Sequence, residues 1–156
     1  MRTKFFGSVL ALLSLVAATS ATTLITFNQH PNDFNHTMVD SGYTFNTTAA
    51  GWGIIRDDYI GTPPFTRNGT TRFMMSGRRN GEKANVFMSE SALAPFNLVS
   101  FDAATSFDDT RPNTLIVIGQ LAGGGMIGRE FGVNRTFGTI TLLTGWENLV
   151  RVNFMS

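Results

Sequence analysis

Leu149-Val150-Arg151-Val152-Asn153-Phe154, close to the C-terminus, carries the clearest β signature in this chain. Val150, Val152 and Phe154 fall at every second position with Arg151 and Asn153 between them, the period of a strand with one buried and one wet face. Upstream, Leu115-Ile116-Val117-Ile118 is apolar at consecutive positions, as in a central strand covered on both sides. Between and before these stretches the same signals repeat. β-Rich runs at 22–27, 38–45, 52–55, 70–75, 84–89, 96–104, 114–121, 126–131, 137–142 and 149–154 are divided by Gly, Asn and Asp clusters. Asn68-Gly69 and Arg79-Asn80-Gly81 are hairpin-turn signals, whereas Pro63-Pro64 marks 56–67 as an irregular connection.

Turn signals recur about every 8 to 12 residues, and no segment carries a helical apolar stripe. The expected fold is all-β, an antiparallel jelly-roll-like β-sandwich formed by residues 22–156 as one domain. Its expected core comprises Ile25, Phe27, Tyr43, Phe73, Phe87, Phe96, Leu98, Phe101, Ile116, Ile118, Phe137, Ile140, Leu142, Val152 and Phe154, with Trp146 also packed. A composition of 42% hydrophobic and 15% charged residues excludes a disordered chain. With no Cys, that core must hold without disulfides.

Residues 1–21 read as a secretory signal peptide. Arg2 and Lys4 precede an apolar run over 5–18, and Ala18-Thr19-Ser20-Ala21 supplies small residues for cleavage. The run spans about 14 residues where a membrane helix needs about 20, so cleavage is expected rather than anchoring. No apolar tail accompanies the C-terminal residues, and the expected product is extracellular with no membrane association after cleavage. Loss of Arg2 and Lys4 leaves 10 basic against 11 acidic residues, a net charge of −1, which argues against nucleic acid as a partner. Asn35-His36-Thr37, Asn46-Thr47-Thr48, Asn68-Gly69-Thr70 and Asn134-Arg135-Thr136 are N-glycosylation acceptors in a eukaryotic host.

The order of short landmarks carries a resemblance. Leu24-Ile25-Thr26-Phe27-Asn28, Ser41-Gly42-Tyr43, Trp52, Pro95-Phe96-Asn97-Leu98-Val99-Ser100-Phe101-Asp102, Ile116-Val117-Ile118-Gly119 and the final Trp146–Phe154 run succeed one another along the chain. In this order they resemble secreted jelly-roll domains of fungi and of bacterial PEP-CTERM-type exported proteins, which are similar to carbohydrate-binding modules. The resemblance implies a binding domain with no assigned catalytic residues. Asn28 stands where that family usually has an acidic residue, and the bacterial sorting tail is missing, so the likeness is to the fungal version.

Several residue sets are candidates for chemistry. Gly123-Gly124-Gly125-Met126-Ile127-Gly128 matches a dinucleotide fingerprint, but residues 129–134 have no helical face, so a hairpin turn is expected and no cofactor. His30, His36, Asp33 and Asp40 have no metal-ligand spacing and read as loop residues. Asp102 either closes a turn or ligates a structural Ca²⁺, and Asn28 weakens the second alternative. Arg72, Arg78 and Arg79 read as a solvated hairpin tip. Glycoside hydrolysis would need a converging pair among Asp57, Asp58, Glu90, Glu130 and Glu147.

Trp52, between two glycines and followed by Arg56, Asp57, Asp58 and Tyr59, either packs into the core, the reading its apolar bulk favours, or, if exposed, completes a stretch with the composition of a sugar-binding surface. Aromatic rings stack on apolar sugar faces, and the polar groups take hydroxyls. The expected function is therefore a secreted, non-catalytic module that binds carbohydrate or a cell-surface component. A small extracellular glycan-active enzyme and a structural coat or effector protein are the alternatives.

Overall fold

The structure is a computed structural model that describes residues 22–27, 37–47, 53–55, 73–75, 85–104 and 113–155. In chain order these residues hold β1 (Thr37–Asp40), β2 (Tyr43–Thr47), β3 (Gly53–Ile55), β4 (Phe73–Met75), β5 (Asn85–Glu90), β6 (Ser100–Ala103), β7 (Asn113–Leu121), β8 (Met126–Val133), β9 (Gly138–Thr141) and β10 (Leu149–Met155). No helix occurs among the described residues, and every strand pair there is antiparallel. The chain is all-β. Six strands form one sheet in the order β1-β2-β5-β10-β7-β8, while β3 pairs with β4 and β6 with β9.

Strand alternation divides the six-stranded sheet into two unlike faces. Cross-strand partners put Phe45, Met88, Val152 and Gly119 in one row on the inner face, and Val86, Phe154 and Val117 in the next. Phe45, Val86, Met88, Val117, Leu149 and Val152 are buried there with Phe96, Leu142 and Trp146. Each fully buried Val or Leu contributes about 1.5–3 kcal/mol relative to exposure, so among the described residues this face holds the buried apolar cluster.

The cover of that face comes from two segments running side by side. Phe96 and Leu149 exchange backbone hydrogen bonds at 2.8 Å, Leu98 N–H donates to Trp146 C=O at 3.0 Å, and Leu142 N–H donates to Val99 C=O at 2.8 Å. The β6–β9 ladder continues the pairing. From β6, Phe101 meets Phe154 and Phe131 edge-on, with ring centroids 5.3 and 5.9 Å apart, and Phe96 meets Tyr43 at 5.4 Å. Gly119 is a point of close approach between sheet and cover. A Cβ there would lie 2.7 Å from Leu149 Cδ2 and 3.3 Å from Trp146 Cζ3, so only glycine fits without displacing a buried side chain.

The structure corrects several expectations. Residues 22–27 form no strand. Phe27 takes a left-handed φ of 56° and serves as a ring packed edge-on against Phe45 at 5.2 Å. The run at 38–45 is two strands, because Ser41 and Gly42 both adopt positive φ and make a two-residue hairpin turn whose twist matches that of the flanking strands. The ladder expected over 96–104 narrows to β6, since its partner segment detours through the Thr144–Gly145 turn.

The alternation of the last strand also changes phase. Leu149 pairs with Leu121 and Arg151 with Gln120, which leaves Val150 as a bulge residue. Leu149 thereby joins Val152 and Phe154 on the inner side, while Val150 lines the opposite face with Arg151. Phe87, Ile116 and Ile118 lie on that opposite face and are not core, and Phe137 is half-buried outside the core cluster. The Phe73 side chain lies outside the described residues. Gly123-Gly124-Gly125 does form the β7–β8 hairpin turn, with φ of 85° and 86° at Gly124 and Gly125 and a strand rather than a helix after it.

Candidate functional site

The outer face of the sheet gathers two neighbouring rows of polar and aromatic side chains from four adjacent strands. Asn46 of β2 pairs with Phe87 of β5, Phe87 pairs with Asn153 of β10, and Arg151 of β10 pairs with Gln120 of β7. Directly opposed residues in an antiparallel pair share a face, as do residues two apart on one strand, so the register brings these two neighbouring rows together. The rows line an open groove of about 390 Å³ bounded by Asn46, Phe87, Ser89, Leu93, Gln120, Val150 and Arg151. Ligand pockets of small molecules run from roughly 300 to 1,000 Å³, so the groove has room for one small ligand or a short stretch of a longer one.

Its centre is a cation–π pair. The Arg151 guanidinium carbon stands over the Phe87 ring, 4.0 Å from the centroid. This contact restrains a long, exposed side chain and leaves its planar donors for a ligand. Asn46 and Gln120 carry amides that both donate and accept, Ser89 adds a hydroxyl, and no carboxylate lines the groove among the described residues. Beside Phe87 in the register, Asn153 holds its Oδ1 buried and without a hydrogen-bond partner among the described residues, as does Asn85 on the same face. An unsatisfied buried acceptor costs about 1–3 kcal/mol, a cost that a donor brought by a ligand or water would offset.

One wall is strained. Leu93 follows the turn after β5 in a left-handed conformation, φ 62°, with its side chain 75% exposed at the groove rim. The turn is held by Leu93 N–H donating to Glu90 C=O at 3.0 Å and Ser91 N–H donating to Gly42 C=O at 2.8 Å. A left-handed leucine costs roughly 1–2 kcal/mol, and strain of this kind gathers at binding sites.

The described carboxylates sit elsewhere in structural roles. Glu90 Oε2 accepts from Ala94 N–H at 3.0 Å, Glu147 Oε2 from Gly145 N–H at 2.7 Å, and Asp40 Oδ1 from Ser41 Oγ at 2.6 Å. Glu130 lies opposite Ile116, which in turn pairs near the far end of β10 from Arg151. Asp102 does not close a turn. It lies within β6, and its Oδ1 accepts from Thr139 Oγ1 across the β6–β9 ladder at 2.7 Å, because both residues occupy the same cross-strand position. No group of three or more His, Cys, Asp or Glu suited to a metal ion occurs among the described residues.

Of the residues singled out in the sequence, Trp52, Arg56, Asp57, Asp58 and Tyr59 lie outside the described residues, as do His30, Asp33, His36, Arg72, Arg78 and Arg79. The acceptors Asn35 and Asn68 do too. Asn46 is half-buried on β2, its Oδ1 accepting from Thr37 Oγ1 at 2.7 Å. Asn134 is exposed after β8, where its Oδ1 accepts from Thr136 N–H at 2.8 Å in an Asx turn within its own acceptor motif. Residues 1–21 also lie outside the described residues, and no helix among those described is long and apolar enough to cross a membrane.

The groove is not evident from sequence, although Arg151 and Asn153 signal it as the polar positions of the last strand. Phe87 gives no such signal, since it sits between Val86 and Met88 and reads as core. Comparison with protein-family models, curated protein sequences and solved structures finds no match to this chain.

Proposed function

We propose that this chain is a secreted, non-catalytic β-sandwich module of jelly-roll type that binds carbohydrate or a cell-surface glycan through the outer-face groove. The observation that carries the reading is the open groove that Asn46, Phe87, Arg151 and Gln120 line from four adjacent strands, with no carboxylate among its described lining residues. Sugars offer many hydroxyls on a ring with an apolar face. Planar amides, a guanidinium held over an aromatic ring and an apolar rim residue at Leu93 match both features. The Arg151 cation suits neutral or acidic sugars, and the described lining provides no acid–base pair for glycoside cleavage. With aromatic contacts worth on the order of 1 kcal/mol each, affinity for one sugar is expected between millimolar and micromolar.

The test is a polysaccharide and oligosaccharide screen by affinity electrophoresis and saturation-transfer NMR, using wild type, Arg151→Ala and Trp52→Ala, each produced without N-glycans in a bacterial host. Binding weakened by Arg151→Ala and unchanged by Trp52→Ala supports the groove. The reverse pattern moves the site to the Trp52–Tyr59 segment. Release of shortened product would make the chain an enzyme, and no binding to any glycan would favour a structural coat or effector role.

A further inference from the structure

We infer that an N-glycan carried on Asn46 lies across the Phe87–Arg151 groove, so that modification of this one acceptor closes the site to an external sugar. The geometry is independent of the proposed function, but the consequence for binding rests on it. Asn46-Thr47-Thr48 is an acceptor motif, and its asparagine is a wall of the groove. Its Oδ1 is held towards β1 by Thr37 Oγ1 at 2.7 Å, and the planar amide therefore turns Nδ2 away from β1. On the other side stands Phe87, the direct register partner of Asn46. Opposed side chains on one face have Cβ atoms about 4.5–5.5 Å apart, so a sugar attached at Nδ2 meets the Phe87–Arg151 pair with its first ring.

The chemistry is compatible with the hydrogen bond already present. Nδ2 attacks the anomeric carbon of a lipid-pyrophosphate-linked oligosaccharide; the N–C1 bond forms, the C1–O bond to pyrophosphate breaks, and Nδ2 loses one proton. Oδ1 is untouched, and the Thr37 contact persists. Because Asn46 is half-buried in a paired strand, transfer precedes the pairing of β2 with its neighbours. Asn134 provides an internal control. It follows β8, four strands from β2 in the sheet order and therefore about 19 Å away laterally, and a glycan there leaves the groove open.

The experiment uses the full chain secreted from a eukaryotic host, as wild type, Thr48→Ala and Thr136→Ala. Glycopeptide mass spectrometry reads occupancy, and hydroxyl-radical footprinting reads access to Phe87 and Leu93. Occupancy at Asn46 is expected, with labelling of both side chains rising at least threefold in Thr48→Ala and unchanged in Thr136→Ala. Nuclear Overhauser contacts between the anomeric proton of the first sugar and the Phe87 ring test the same geometry in the unmutated glycoprotein. An unmodified Asn46, equal footprints or absent Overhauser contacts overturn the inference. A groove uncovered in Thr48→Ala that still binds no sugar removes the glycan-binding reading and leaves the covering glycan established. Sugar binding to wild type and Thr48→Ala alike, with equal footprints, does the reverse.

Discussion

The two faces of the six-stranded sheet are written in alternate residues of the same strands, yet they meet opposite demands. On β5, Val86 and Met88 are buried against Phe45, Val152 and the covering segments, while Phe87 between them turns outward to hold Arg151. On β10, Leu149 and Val152 are fully buried, whereas Arg151 and Asn153 line or flank the groove. A side chain one position along therefore passes from a packing role to a recognition role. Substitutions should accordingly separate by face, stability falling on one side and binding on the other.

The largest expected effect tests the inner face. Trp146 is 3% exposed and caps Gly119, so Trp146→Ala should cost about 3–5 kcal/mol in urea unfolding, and Leu149→Ala about 2–5 kcal/mol. A loss below about 1 kcal/mol in either would mean that this face is not the core. Gly119→Ala forces a methyl against Leu149 and Trp146 and should cost about 1–3 kcal/mol through overpacking. A neutral midpoint would show that the covering segment shifts freely.

The outer face should respond differently. Arg151→Ala removes a partly exposed cation–π pair worth about 0.5–1 kcal/mol of stability, while sugar affinity by NMR titration should drop about tenfold, or about 1.4 kcal/mol. If stability falls more than affinity, the division between faces fails. The smallest effect is expected at the rim. Leu93→Gly relieves a left-handed leucine, so thermal stability should hold or rise by up to about 1 kcal/mol while binding weakens through loss of an apolar contact. Stability lost with binding unchanged would make Leu93 an ordinary turn residue.

Much of the strand layout is legible from residues alone. The stretches 114–121, 126–131, 137–142 and 149–154 reappear as β7 to β10 with ends shifted by about a residue or two, because period-two patterning and the Gly123–Gly125 turn act over a few residues. The hairpin turn at Ser41-Gly42 is also written in the sequence, as a small residue followed by glycine after Asp40, but the β-forming residues on both sides let 38–45 read as one strand and hide it. The aromatic loop around Trp52 stands out as a binding surface on composition, whereas the groove of Asn46, Phe87, Gln120 and Arg151 comes from four separate strands far apart along the chain.

Extended segments, the turns that divide them, the lack of helical periodicity and hence the all-β class follow from local physics that any short window of residues carries. Which side of each strand faces inward is settled instead by pairing with distant strands. In Asn85-Val86-Phe87-Met88 nothing local chooses between Phe87 and its neighbours, and pairing with β2 and β10 makes the choice. In Leu149-Val150-Arg151 the alternation favours Val150 for the core, but the bulge against β7 buries Leu149 and turns Val150 outward. Side-chain direction in a strand reverses with every residue, so a one-residue shift set by a distant partner moves an entire row from core to surface.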